Sequence, residues 1–113
     1  MKYWQGRDFP GSDIKNYQGI ETVEECSNLC SQNSDCVAFT YADASNPKYR
    51  YRCWIKRAQN TWNVRNNAAS SLLSGHKCDY DFNPPQSEPP TALITGKRSG
   101  HSAAESLTNI LRV

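Results

Sequence analysis

The chain has 113 residues, a formal net charge of +2 and a hydrophobic share of 37%. That length holds one domain with some extra, and so thin an apolar supply builds a modest core that needs staples. The weak charge argues against a nucleic-acid binder, and no apolar run reaches the ~18 residues of a membrane span.

The start, MKYWQGRDFPG, lacks the apolar segment of a signal peptide. Five cysteines in a short chain nevertheless read as a secreted domain. Together these features predict that Met1 begins a fragment or mature form of a longer secreted chain. No Asn-x-Ser/Thr acceptor with a permitted middle residue occurs.

Residues 1 to 22 read as strand and turn, with Pro10 and Gly11 turning the chain between Phe9 and Ile14. Asp13 is expected to hold that corner as a turn or cap residue. A helix opens at Thr22, a good N-cap whose capping box Glu25 completes. Glu24 and Glu25 also suit the positive end of the helix dipole. Val23, Cys26, Leu29 and Cys30 share one helical face, and Asn33-Ser34-Asp35 ends the helix.

Cys36 to Tyr41 alternates as a strand, with Val37, Phe39 and Tyr41 opposite Cys36, Ala38 and Thr40. After an Asn46-Pro47 loop, a second strand is expected from about Tyr49 to Lys56. Tyr51, Cys53 and Ile55 would face the core. Arg50, Arg52, Trp54 and Lys56 would then face solvent. The polar stretch Ala58–Asn67 reads as a loop anchored by Trp62 and Val64, and Ala69–Gly75 as a last short strand. Beyond Cys78, four of the six prolines fall within Asp79–Thr91. They predict a stiff linker unable to join a sheet. Residues 92 to 113 read as a disordered tail, or a short marginal helix from the capping box at Ser102 and Glu105.

The cysteines admit three uses. Zinc wants four ligands, usually with a second hook, and the two histidines, His76 and His101, are poorly placed to supply one. Redox catalysis prefers Cys-x-x-Cys at a helix start, which is absent. Stapling fits best. Cys26 and Cys30 lie one turn apart on one helical face. Cys30 then reaches Cys36 across the turn, and Cys26 reaches Cys53 on the next strand. On the chain-entropy model the short loop contributes roughly 2.4 kcal/mol and the long one roughly 3.6 kcal/mol. Cys78 has no partner within the chain.

These residues resemble the PAN/apple module over residues 8–78, through "FPGSDI", "EECSNLC", "DCVAFTY", "RCWIK" and the closing "SGHKC". The resemblance implies a small disulfide-stapled α+β fold, an antiparallel β-sheet packed around one α-helix, with Cys26–Cys53 and Cys30–Cys36 as its bridges. Apple-type members add a bridge from the domain's start to its end. Cys78 matches its second half, while the first would fall at or before Met1. The expected division is a module over residues 1–78, a proline-rich linker over 79–91 and a tail over 92–113.

The same resemblance implies a non-enzymatic extracellular adhesive module, one unit of a larger adhesin, like the apple modules of apicomplexan microneme proteins and of plasma kallikrein and factor XI. Its implied partners are glycans, acidic or sulfated among them, or host or plasma proteins, with no nucleic acid, cofactor or metal. The sequence offers Arg50, Arg52, Trp54, Lys56 and Trp62 as ligand contacts, because Arg forks match anionic groups and aromatic faces stack on sugar rings. The same row would also serve as an ordinary guarded strand face, with either Trp packed under a loop. The alternative function is assembly, through a sheet face or a dimer bridged by Cys78. No nucleophile–base set or phosphate loop stands out to argue for an enzyme.

Overall fold

A computed structural model describes residues 1–94; the helix expected around Ser102–Glu105 lies outside them. The single helix, α1 (Val23–Ser31), forms where its local signals place it. Thr22 sits in extended backbone and its Oγ1 accepts from the Glu25 amide at 3.1 Å, while the Glu25 carboxylate accepts from the Thr22 amide at 3.1 Å. The amides of Thr22 and Glu25 are thereby satisfied. The helix stops at Gln32, whose amide closes on Asn28 O. Asn33 then turns the chain, its Oδ1 accepting from the Asp35 amide at 2.9 Å.

The helix turns Cys26, Ser27 and Cys30 inward onto an antiparallel sheet. The strands are β1 (Lys2–Gln5), β2 (Asp13–Tyr17), β3 (Ala38–Ala42), β4 (Arg52–Lys56), β5 (Leu72–His76) and β6 (Ala92–Leu93). Their order across the sheet is β2-β4-β3-β5-β1-β6. Central β3 sets two faces by alternation. Phe39 lies between Ile55 and Gly75, and Tyr41 between Cys53 and Leu73, on the helix side. Thr40 lies between Trp54 and Ser74, and Ala38 between Lys56 and His76, on the other. The Cys26–Cys53 bridge ties α1 to β4 at a Cα–Cα distance of 5.5 Å, and Cys30–Cys36 closes the helix onto the approach to β3 at 5.2 Å. All four cysteines are fully buried.

The second face is covered as well. Phe9, Trp62 and Phe82 lie over Ala38, Trp4 and His76, so every residue of β3 is buried. Beneath them Thr40 Oγ1 and Ser74 Oγ pair at 2.7 Å, Ser74 donates to Arg7 O at 2.8 Å, and the Phe9 amide reaches Thr40 Oγ1 at 3.3 Å. The Thr40 and Ser74 hydroxyls are thus satisfied.

This covering corrects the expected linker. Residues 79–91 are not a spacer beyond a 1–78 module but cross the second face, and the start of the expected 92–113 tail is no tail: Ala92–Leu93 pair with β1 as β6 and Ile94 is buried. Phe82 is 4% exposed. The Trp62 amide donates to Asn83 O at 2.7 Å, the Trp4 indole to Glu88 O at 2.9 Å, and the Thr91 amide to Tyr3 O at 2.8 Å. Prolines lack a donor, but here the neighbouring carbonyls and non-proline amides make the contacts. The run is therefore a strap, with prolines between its anchor points.

Candidate functional site

The connection between β3 and β4 is built as a rigid hairpin tip. Asp43 Oδ1 accepts from both the amide and hydroxyl of Ser45, at 2.9 and 2.6 Å. Asn46 is buried; its Nδ2 donates to Ser71 Oγ at 3.0 Å, and its Oδ1 accepts the amides of Lys48 and Tyr49 at 3.0 and 2.7 Å. One short side chain thus replaces the backbone partners a loop would otherwise lack. Tyr51 takes φ +65°, and its amide returns to Ala42 O at 2.8 Å.

That tip presents a cluster of rings and cations. Tyr49 is exposed, and it meets half-buried Trp54 edge-on at 5.6 Å and 75°. The Arg52 guanidinium lies 5.6 Å from the Tyr49 centroid and 5.9 Å from that of Trp54, and Lys48 Nζ is 5.2 Å from Tyr49. Arg50 projects from the turn and is exposed. Among the described residues, no carboxylate pairs with Lys48, Arg50 or Arg52. The rings hold Lys48 and Arg52 by cation–π attraction.

The structure divides the sequence-derived contact set. Arg52 and Trp54 share the expected strand face, but β4 begins only at Arg52, so Arg50 lies in the turn and not on the strand. Lys56 leaves the set. It lies opposite Asp13 of β2, buried to 3% exposure, with Nζ 2.5 Å from Asp13 Oδ1. Asp13 is thus a charge partner and not a turn cap. Trp62 leaves too. It stacks on Phe82 at 5.3 Å and 17°, and its indole donates to the Tyr80 hydroxyl at 3.0 Å. Tyr49, expected only as the start of a strand, lies in this cluster; Asn46-Pro47 just before it is the signal for a shaped loop.

Other titratable groups serve the interior. The Tyr41 hydroxyl donates to Ile20 O at 2.6 Å, and burial first, then Asp43 and nearby acids and phenols, pushes its pKa up to about 12. Burial pushes Tyr3 upward as well, helped by Glu24. His76 is lowered, chiefly by burial under Phe82, with a backbone hydrogen bond to Lys77 opposing and the Lys2 and N-terminal charges adding. Its Nδ1–H donates to Lys77 O at 2.8 Å. Cys78 is exposed and unbridged. Among the described residues no cluster of His, Cys, Asp and Glu is arranged to hold a metal ion, and no helix is long and apolar enough to cross a membrane.

Residues 7–56 match the family model of the PAN domain. The matched span contains α1, β2, β3, β4, both disulfides and the whole hairpin tip.

Proposed function

We propose that the chain is an extracellular PAN/apple adhesive module that binds carbohydrate or protein ligands through its β3–β4 tip, as one unit of a larger adhesin. PAN domains are non-catalytic modules of protein and carbohydrate binding, and the match supports that class. Two buried bridges belong to an oxidising, secretory environment. The observation that carries the assignment of the site is the cation–aromatic cluster of Tyr49, Arg52 and Trp54, flanked by Lys48 and Arg50. The exposed Tyr49 ring takes the apolar face of a sugar, while the guanidinium forks take sulfate or carboxylate. Arg50→Ala with Arg52→Ala should weaken retention on immobilised heparin or a sialylated glycan array, and added salt should do the same. Unchanged retention would move the ligand away from this tip.

Assembly is the second reading, favoured by the exposed thiol of Cys78. It expects a covalent dimer on non-reducing electrophoresis that Cys78→Ser removes. A monomer under oxidising conditions counts against it.

A further inference from the structure

Arg7 lies outside the hairpin tip and has chemistry the binding site just described does not use. It is 6% exposed, between the end of β1 and the strap, with its guanidinium 5.9 Å from the Trp4 ring. A buried guanidinium needs a counter-charge. Its Nη2 donates to the Glu88 carboxylate and its Nη1 to Gln86 Oε1 at 2.7 Å. The Glu88 side chain, however, is 70% exposed. The cation is thus fixed in the protein, while its anion stands in solvent on a proline-flanked loop.

The guanidinium forms one wall of an open cleft of about 360 Å³, a volume within the range of small-ligand sites. Asn66, Asn67 and Ser87 line the rest with exposed donors and acceptors, for which the described residues supply no side-chain partner. Pro84 and Pro85 form a stiff wall of C–H surface. Gln86 is held by its own Nε2 donating to Pro84 O at 3.0 Å, which aims Oε1 at Arg7. A prefixed guanidinium fork beside amides and a hydroxyl matches one carboxylate attached to a hydroxyl-rich body.

We propose that the Arg7 cleft is a second binding site, for a polyhydroxylated carboxylate of the uronic-acid type, and that Glu88 occupies its carboxylate position until such a ligand displaces it. The site rests neither on the hairpin assignment nor on the PAN match. An incoming carboxylate exchanges one ion pair on Arg7 for another, so the buried cation is never left unpaired. Its hydroxyls meet Asn66, Asn67 and Ser87, and Glu88 swings to water, where most of it already lies.

The test uses the full chain, ¹⁵N-labelled, titrated with D-glucuronate and separately with glucose at matched ionic strength. Glucuronate should shift the Arg7 Nε–H and the Asn66 and Asn67 side-chain amide signals saturably, with a Kd of about 1 mM, and glucose should leave them in place. The same shifts should persist in the Arg50→Ala, Arg52→Ala variant, which separates this site from the tip. Arg7 is too buried for its removal to be a clean probe, so Glu88→Gln is the decisive change. It keeps the shape but weakens the internal competitor, and should tighten glucuronate binding by roughly three- to tenfold. The proposal is overturned by any of three results: no saturable shift, glucose binding as well as glucuronate, or weaker binding in Glu88→Gln.

Discussion

Phe82→Ala tests whether the strap belongs to the fold. The Phe82 ring is 4% exposed, with centroids 4.4 Å from Phe9, 4.8 Å from His76 and 5.3 Å from Trp62. A buried aromatic side chain removes about 150–250 Å² from water, which at ~25 cal/mol per Å² is about 4–6 kcal/mol. Alanine keeps a small part of that burial. The site does not collapse readily, because its neighbours are rings fixed to the sheet. The expected cost is therefore ~3–5 kcal/mol, as for aromatic-to-alanine changes in other cores. That is a large share of the stability of a small domain. The assay is urea unfolding of the oxidised protein. With a slope of about 1.5 kcal/mol per M, the midpoint should fall by about 2–3 M. Asp81→Ser, an exposed neighbour in the same segment, should stay within ~0.5 kcal/mol. A Phe82→Ala loss below ~1 kcal/mol would refute the reasoning and return residues 79–91 to the status of a detached linker.

Gly75→Ala should disrupt the pairing of β1 with β5. A Cβ there would lie 2.4 Å from Lys2 O, 2.7 Å from Tyr3 Cβ and 2.9 Å from the Phe39 ring, two of them backbone or near-backbone atoms that cannot step aside. A loss of at least ~1–3 kcal/mol, with hydrogen-exchange protection falling first at Tyr3–Gln5, is the expected result; intact protection would contradict the packing. His76 makes stability pH-dependent. Its folded pKa is lowered, so the unfolded chain takes up the proton first as pH falls. Stability from this group is complete above the unfolded value of about 6.5 and declines as pH drops through the folded value. His76→Phe should remove that slope in denaturation midpoints measured from pH 8 to 4, and an unchanged slope would assign the acid sensitivity to other groups.

The parts legible in the sequence are those whose signals are local. Thr22 and Glu25 lie three positions apart, and the cap forms between their own atoms. Cys26, Cys30 and Cys36 sit within one helix and its exit, so reach alone restricts the pairing, and Cys53 follows from strand alternation. Lys56 and Trp62 show where locality ends. By alternation Lys56 shares a face with Arg52 and Trp54, yet its neighbour Asp13 comes from an edge strand far upstream, and that pairing draws the ammonium inside. Trp62 sits in a polar stretch, but its stacking partner Phe82 arrives from a segment whose prolines hide its contribution to the core. Alternation puts Arg50 on a strand because it carries no sign of the positive φ at Tyr51, which ends the turn and starts β4 one residue later. Arg7 gave no signal, since nothing in the neighbourhood of one arginine foretells a strap crossing above it.

The meeting of Met1 with Ile94 has a mechanical consequence. The Met1 terminal ammonium donates to the Ile94 carbonyl and the Ile94 amide to the Met1 carbonyl, so the two ends of the described residues meet at a single corner. Lys2 stands level with His76 and Ala38, at the start of β3, whereas the hairpin tip follows Ala42 at its end. Root and tip are thus separated by the length of the central strand, about 17 Å. Pulling on the two attachment points would load the β1–β6 edge and leave the tip unstrained. In a longer chain the domain would hang as a pendant from one foot, its cation–aromatic end facing away from the polymer that carries it.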